Sequence, residues 1–359
     1  MPALLPFTRL VTELTRLDLQ PIEFASSGGR AVLVPNAGRI VGLRFETGDE
    51  NLFWANPAIA ALPGGSHGID ELPGGLGGDR LWFGKELTYF WNGSPDWESF
   101  ANYEIPPSAD PGTYALTATT DAVRFSGRVT LEGRNGAERT SFNVTRTVSF
   151  TEPPFNLSDE SLQGADFVGL ETSNEVEVDP NGGNGIADLW HLLQVPTSSQ
   201  IVIPLRKGSS GRSVATSFGM PGSWSERHDR IEWEVTGLER AKLGVSAGRV
   251  TGKVGVVRQM LDGRVLLLVR SFSVDPAGTY VDHPEGQVRS DQAVQAWSGF
   301  GFGEIEHRST AFGAELPSTV IEDRDQIWAF GGSRDQVNAI AVRLLGVDIR
   351  KLVIPPIKR

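Results

Sequence analysis

The chain has 359 residues, no cysteine and a formal net charge of −11, with 33 Lys and Arg against 44 Asp and Glu. Hydrophobic residues make up 39% of it and charged residues 21%, which excludes wholesale disorder. A surface this acidic repels phosphate backbones and anionic lipids, so we expect neither a nucleic-acid nor a membrane partner. The lack of cysteine excludes disulfides and thiolate metal ligands and is typical of a reducing compartment.

The N-terminal residues and the longest apolar run both bear on location. Residues 1–18 lack the basic start, apolar core and small-residue cleavage site of a secretory signal. The longest apolar run, residues 265–269, is far too short to span a bilayer. We therefore expect a cytoplasmic protein.

The predicted elements begin with a short helix and continue mostly as strands. Apolar side chains within residues 7–17 are spaced by three and four, which predicts an amphipathic helix. Residues 139–150 alternate apolar and polar side chains, which predicts a strand with one wet face. Similar runs predict further strands at residues 30–34, 39–45, 87–91, 122–131, 231–235, 250–257 and 264–274.

Turn signals separate these runs, and Asp262-Gly263 has the composition of a tight hairpin turn. Many short strands joined in this way favour antiparallel sheets packed as a sandwich or barrel. Residues 337–345 follow helical spacing, with Asp335 as the predicted N-cap and Gly346 at the end. We expect one mostly β domain over residues 1–359, with a helix near each end and a long Gly-rich loop over residues 64–78.

Common cofactor and nucleophile motifs are absent from the sequence. No P-loop, dinucleotide fingerprint, Gly-x-Ser-x-Gly elbow or His-Glu-x-x-His motif occurs, so we expect no cofactor. The five histidines, at positions 67, 191, 228, 283 and 307, do not form a compact metal-ligand spacing, so no metal site is predicted. The sequence leaves open a metal held by histidines and carboxylates from distant strands.

The segment at residues 77–84 places Asp79 and Arg80 beside Trp82 and Phe83, directly after a flexible turn. Aromatic faces stack on the apolar faces of sugar rings, while Arg and Asp supply directed hydrogen bonds to hydroxyls. The alternative interpretation is a tight turn with an internal ion pair and two core aromatics.

Residues 302–308 read as a strand, and alternation places Phe302, Glu304, Glu306 and Arg308 on one face. Two carboxylates beside an arginine can differ in proton affinity, one kept ionised by Arg308 and one raised by its neighbour. Two carboxyl groups of different proton affinity are what general acid–base catalysis uses. The alternative is a solvated strand face with an ordinary salt bridge.

Two histidines are further candidates. His191 shares a strand face with Leu193 and Val195, which suits a satisfied core residue or an imidazole that exchanges a proton near neutral pH. His283 lies in a predicted loop before Pro284 and suits either role.

Taken in order, these segments resemble the galactose mutarotase-like (aldose 1-epimerase) superfamily and are similar to its uncharacterised bacterial branches. The similar segments, spread over most of the chain, are residues 34–40, 77–82, 187–204, 242–282 and 304–306. Two differences are visible. The segment of the family's second His reads Leu-Trp-His-Leu-Leu instead of Asn-His-x-Tyr-Phe-Asn-Leu, and no segment matches the family's first active-site His.

The resemblance implies a large antiparallel β-sandwich of the galactose mutarotase-like supersandwich kind, with short terminal helices. It implies an epimerase or mutarotase-like enzyme in which Glu306 takes the proton of the anomeric hydroxyl and His191 protonates the ring oxygen. Arg80 would hold substrate hydroxyls, and Glu304 would tune Glu306 or contact the sugar. The remaining residues expected to bind substrate are Asp79, Trp82, Arg308 and His283.

Two other functions fit the same residues. A non-catalytic carbohydrate-binding protein would keep Arg80, Trp82 and Phe83 without a complete acid–base pair. A glycoside lyase or hydrolase would need a long open groove. All three functions predict a small sugar or an oligosaccharide as partner, while the identity of the sugar and the oligomeric state are not fixed by the sequence.

Overall fold

Two ten-stranded antiparallel sheets form the framework of the computed structural model. The residues described are 4–65, 68–69, 71–96, 99–133, 136, 138–157, 159, 162–209, 214–217, 224–282, 291–316 and 319–355. The helices are α1 Phe7–Arg16, α2 Glu86–Tyr89 and α3 Arg334–Leu345. The strands are β1 Ile22–Ala25, β2 Gly29–Val34, β3 Arg39–Phe45, β4 Asp79–Gly84, β5 Tyr114–Ala118, β6 Ala122–Glu132, β7 Arg139–Phe150, β8 Asp166–Val178, β9 Ile186–Pro196, β10 Ser199–Pro204, β11 Val214–Ser217, β12 Trp224–Glu226, β13 Arg230–Val235, β14 Ala241–Ser246, β15 Lys253–Gln259, β16 Val265–Phe272, β17 Gln292–Gly299, β18 Phe302–Arg308, β19 Phe312–Gly313 and β20 Val320–Gly332.

The strand order defines a front sheet and a back sheet. The front sheet runs β1-β2-β3-β4-β9-β18-β17-β14-β11, and β19 pairs with β9. The back sheet runs β12-β13-β10-β15-β16-β20-β8-β7-β6-β5. Each pairing between named strands is antiparallel, which confirms the predicted mostly β, antiparallel sandwich.

The inner faces of the two sheets pack against each other in two apolar clusters. The larger cluster contains side chains from both sheets, including Leu193 of the front sheet and Val148 and Ile327 of the back sheet. The second cluster joins Leu189 of the front sheet to Val176 of the back sheet. Burial of these apolar side chains stabilises the packing of the two sheets, since the hydrophobic effect contributes roughly 25 cal/mol for each Å² of apolar surface removed from water.

The terminal helices lie where the hydrophobic spacing predicted them, with one correction at a cap. Ser333, rather than Asp335, is the N-cap of α3, and its hydroxyl and the Gln336 side chain form a capping box. Gly346 ends the helix in the left-handed conformation, as predicted. Within the described ranges, all three helices fall short of the length and hydropathy that a membrane span requires.

The strand predicted over residues 87–91 is wrong. Residues Glu86–Tyr89 form the single helical turn α2, and Tyr89, Phe90 and Trp91 are all fully buried. An apolar run that is buried on every side lacks the alternation of a half-buried strand, so length and composition could not separate the two structures.

Candidate functional site

A cavity of about 670 Å³ lies on the outer face of the front sheet, the face that points away from the back sheet. Strands β4, β9, β14, β17 and β18 form its floor, and two loop regions, residues 69–76 and 99–111, form its walls. A cavity of this volume is within the usual range for a small-molecule site. Its floor is lined by Arg80, Trp82, Trp190, Lys242, Trp297, Phe302, Glu304 and Glu306.

Strand register explains why these side chains meet. Glu306 of β18 lies opposite Leu192 of β9, and Leu192 in turn lies opposite Arg80 of β4. Residues that face each other across antiparallel strands point to the same side of the sheet. Alternation then brings Glu304 and Trp190 to that side as well, which confirms the shared face predicted for residues 302–308.

Arg80 and Glu304 form a buried ion pair on the cavity floor, with Nη2 of Arg80 2.8 Å from Oε1 of Glu304. The guanidinium also lies over the Trp82 ring, 4.1 Å from its centroid. Nε and Nη1 of Arg80 have no hydrogen-bond partner among the described residues. The arginine is therefore held in place with two donors still to be satisfied.

Glu306 is held by a second cation. Its Oε2 accepts a hydrogen bond of 2.6 Å from the Trp190 indole and lies 3.1 Å from Nζ of Lys242. The same ammonium group contacts Glu86 at 3.0 Å. Oε1 of Glu306 is buried and accepts no hydrogen bond from the described part of the chain. The cavity floor thus presents one open acceptor near two open donors.

Aromatic rings lie beside these charges on the cavity floor. Trp82 and Trp190 meet edge to face at a centroid distance of 5.4 Å, and Phe302 stacks on Trp54 at 4.2 Å. The Trp82 indole donates to Asp110 at 2.9 Å, which ties a wall loop to β4. A floor that combines aromatic rings with charged groups suits a ligand with both a ring face and hydroxyl groups.

Glycines let the wall loop approach the floor closely. Gly74 has a φ of +79°, and a Cβ there would lie 2.5 Å from the Phe302 ring. Gly78 has a φ of +82°, and a Cβ there would lie 2.2 Å from the carbonyl oxygen of Ile40. Only glycine satisfies both conditions, so the Gly-rich loop sets the depth of the cavity and the position of Arg80.

Burial shifts the proton affinities of the carboxyl groups at the floor. It raises the pKa of the Glu304 carboxyl, with Glu306 adding to the rise and Arg80 opposing it. It also raises the pKa of Glu86, against the opposing effect of Lys242. Burial alone would lower the pKa of Lys242, but Glu306 and Glu86 outweigh it and raise the value. The ammonium group therefore stays charged.

Arg308 lies beneath the floor and does not line the cavity. Its guanidinium contacts Asp188 at 2.9 Å and Asp282 at 3.0 Å, and it lies over the Trp190 ring at 4.2 Å. Burial raises the pKa of Asp188 to about 6, with Arg308 opposing the rise. Among the described contacts, Arg308 forms no ion pair with either glutamate of its strand; Lys242 contacts Glu306 and Arg80 contacts Glu304.

His191 lies on the opposite face of the front sheet from Glu306, and this placement corrects the expectation that the two share a cavity. The register pairs His191 with His307, both of which point toward the back sheet. His191 is fully buried there, 2.8 Å from Oδ2 of Asp323 through its Nε2. Among the described residues, no histidine lines the cavity.

Asp79 also points inward and does not contact the cavity, unlike its neighbour Arg80. Its carboxylate pairs with Arg146 and, at 2.6 Å, with Nη1 of Arg270. These groups belong to an inner polar layer that separates the two apolar clusters. The layer consists of Asp79, Arg146, Thr172, Asn174, His191, Arg270, His307, Asp323 and Asp325. His283, the remaining predicted substrate contact, lies outside the described residues.

Sequence reasoning missed Lys242, Trp190 and Glu86 as cavity residues. For Trp190 a signal was present, because the alternation that puts His191 and Leu193 on one face puts Trp190 on the other. No local pattern in the sequence indicates Lys242. Its strand β14 is separated from β18, the strand of Glu306, by β17 in the front sheet.

The structure is thus an antiparallel β-sandwich with a buried, charged and aromatic cavity on one outer face. A family model described as "Family of unknown function (DUF6786)" matches residues 66–354, so the chain belongs to that family. A search of curated proteins returned no match.

Three solved structures to which the chain is similar are described as galactose mutarotase-like or aldose epimerase proteins, each at low sequence identity. A galactose mutarotase-like protein from Lactobacillus casei is 11% identical, with a TM-score of 0.46 over 86% of this chain and 99% of that one. A galactose mutarotase related enzyme from Lactobacillus acidophilus is 11% identical, with a TM-score of 0.45 over 88% and 98%. An aldose epimerase homologue from C. elegans is 11% identical, with a TM-score of 0.44 over 87% and 99%.

Proposed function

We propose that the outer cavity binds a sugar, and that Glu306 acts there as a general base at the anomeric centre. The observation that carries the proposal is the set of open hydrogen-bonding atoms at the cavity floor. Oε1 of Glu306 lacks a donor, and Nε and Nη1 of Arg80 lack acceptors, among the residues described. A sugar hydroxyl both donates and accepts, so adjacent hydroxyls of one ring can satisfy both sets.

The energetic argument supports a polar ligand at this position. A buried polar atom without a partner costs about 1–3 kcal/mol, so three such atoms on one floor favour occupation by a polyhydroxylated molecule. Trp82 and Trp190 place aromatic rings beside these atoms on the cavity floor. The cavity volume of about 670 Å³ suits a monosaccharide or a short oligosaccharide.

The two glutamates of β18 differ in surroundings in the way that acid–base catalysis requires. Glu306 contacts the Lys242 ammonium group and the Trp190 indole, so its carboxyl group lies beside one cation and one neutral donor. Burial raises the pKa of Glu304, so this carboxyl is suited to carry a proton. In the proposed reaction Glu306 removes the proton of the anomeric hydroxyl, Glu304 protonates the ring oxygen, and the ring opens.

A second function, sugar binding without catalysis, is favoured by one observation. His191, the proton donor that the resemblance implied, is on the far face of the sheet and cannot reach a ligand in the cavity. Glu304 is also engaged by Arg80 at 2.8 Å, and a persistent ion pair there would leave no acid for the ring oxygen.

Calorimetric titration and anomer-exchange measurements on the same proteins test both functions. We expect the wild-type protein to bind at least one neutral aldose and to accelerate its anomer interconversion, measured by polarimetry. Glu306→Gln keeps the size of the side chain and removes the base, so the rate should fall by roughly 10²–10⁴-fold while the sugar still binds.

Glu71→Gln is the matched control, because Glu71 is an exposed glutamate at the cavity wall. It should leave both binding and rate close to those of the wild type. Normal mutarotation by Glu306→Gln would overturn the catalytic role. Binding with no acceleration in the wild type would favour the second function, and failure to bind any sugar of the panel would sink both.

A further inference from the structure

We propose that the inner polar layer holds a divalent transition-metal ion between His191, His307 and Asp323. This site lies in the sandwich interior, on the other side of the front sheet from the cavity, and does not depend on the function proposed for that cavity. One nitrogen or oxygen atom from each of His191, His307, Asp323 and Asp325 lies within 4.8 Å of the others. Four side chains from strands β9, β18 and β20 converge there.

The first support is a set of buried nitrogen and oxygen atoms without a hydrogen-bond partner among the described residues. Nε2 of His191, both ring nitrogens of His307 and Oδ2 of Asp323 have no hydrogen-bond partner within the described ranges. His191 and His307 are buried to 99% or more. Nε2 of His191 and Oδ2 of Asp323 lie 2.8 Å apart without the alignment of a hydrogen bond. Atoms at that separation can share one cation.

A neighbouring amide extends this group. Asn174 of β8 lies opposite Asp323 of β20 in the strand register, so both side chains point into the same space. Oδ1 of Asn174 is also buried and unpartnered among the described residues. An amide oxygen is a suitable additional ligand for a divalent ion.

The histidine rings are held in position by stacking. His191 and His307 stack with a centroid distance of 4.1 Å and an interplanar angle of 7°. Phe272 stacks on the other face of His307 at 4.1 Å. Because the lone pairs of parallel stacked rings do not converge, one imidazole must turn out of the stack for both to reach the metal–nitrogen distance of about 2.0–2.1 Å.

The surroundings of His191 define what an ion must displace. Nδ1 of His191 lies 3.3 Å from Nη2 of Arg270, and because a guanidinium only donates, Nδ1 is the acceptor. The neutral ring then carries its proton on Nε2, 2.8 Å from Oδ2 of Asp323, so metal binding releases that proton. Asp325 is saturated by Arg270 and Thr172 and therefore does not act as a ligand.

Charge in the layer favours a cation. Three carboxylates, from Asp79, Asp323 and Asp325, face two guanidinium groups, from Arg146 and Arg270. The imbalance is one negative charge, which attracts a cation to the carboxylate of Asp323. Two imidazoles and one carboxylate without thiolate suit Zn²⁺, Fe²⁺, Mn²⁺ or Ni²⁺ more than Ca²⁺ or Mg²⁺.

Metal analysis and thermal melting of chelator-treated protein test the site, with ZnCl₂ as the probe. We expect the wild type to bind about one equivalent of Zn²⁺ and to melt about 5 °C higher with it. His307→Phe retains the ring stack and removes the nitrogens, so Zn²⁺ affinity should fall at least about 100-fold. Asp323→Asn should also lower the Zn²⁺ affinity, and it is the test variant if His307→Phe does not fold.

Two controls locate the ion. His228→Ala removes an exposed histidine whose side chain is 92% accessible, and Glu306→Gln removes a carboxylate of the outer cavity. Both should bind Zn²⁺ as the wild type does. The proposal is overturned if the wild type binds no stoichiometric Zn²⁺, if His307→Phe and Asp323→Asn bind it normally, or if Glu306→Gln alone abolishes binding.

Discussion

Replacing Lys242 by methionine tests the charge balance at the cavity floor. Methionine keeps most of the apolar stem of lysine and removes the ammonium group that contacts Glu86 at 3.0 Å and Glu306 at 3.1 Å. The lysine side chain is only 5% exposed, so water cannot replace it fully. Removing one partner of a buried ion pair costs about 3–5 kcal/mol, since the remaining charge stays buried and uncompensated.

The loss should depend on pH in a defined direction. Burial already raises the pKa of Glu86 while Lys242 opposes the rise, so the pKa is higher still in Lys242→Met. A carboxyl whose folded pKa is raised makes the fold less stable as pH rises from its ordinary value of about 4.5 through the folded value. The loss of unfolding free energy in Lys242→Met should therefore be largest at pH 8 and become smaller as the pH falls toward 5.

Urea unfolding followed by circular dichroism measures this difference, because urea leaves the ionic strength unchanged. Lys207→Met, at an exposed turn, is the matched control and should change the free energy of unfolding by less than about 0.5 kcal/mol. An unchanged free energy in Lys242→Met, or a loss of the same size at pH 5 and pH 8, would refute the reasoning.

Two further predictions concern the floor and its support. In Gly78→Ala the new Cβ would lie 2.2 Å from the Ile40 carbonyl oxygen, so the melting temperature should fall by more than in Gly263→Ala, where a positive φ is present but nothing lies within 4 Å. Equal shifts would contradict the close approach. Because the pKa of Asp188 is raised to about 6, this carboxyl alone should lower wild-type stability by about 3 kcal/mol between pH 4 and pH 6, and Asp188→Asn should remove that contribution from the pH profile measured by urea unfolding. Parallel profiles for the two proteins would refute the assignment.

Period-two alternation predicted the faces of individual strands well. It placed Phe302, Glu304 and Glu306 together, and the structure has all three at the cavity. Alternation also places Asp79 and Arg80 on opposite faces, so the two could not both contact one ligand. The expectation that His191 shares the cavity came from its position in a resembling family rather than from the strand itself, and the structure places this residue on the other face of the sheet.

Pairings between distant segments could not be predicted, because register is set when strands associate. The ion pair of Glu306 with Lys242 crosses two strand boundaries, and the convergence of His191, His307 and Asp323 joins both sheets. The spacing of these residues in the sequence does not predict such contacts. The histidines at 191 and 307 become neighbours only because β9 and β18 pair in that register.

The shortness of the outermost strands has a consequence for self-association. The front sheet ends in β1 and β11, of four residues each, and the back sheet ends in β12 and β5, of three and five residues. The central strands β8 and β20 have 13 residues each. In the described part of the chain, only short stretches of unpaired backbone are therefore offered to a neighbouring molecule. This geometry disfavours the edge-to-edge growth through which exposed sheets aggregate.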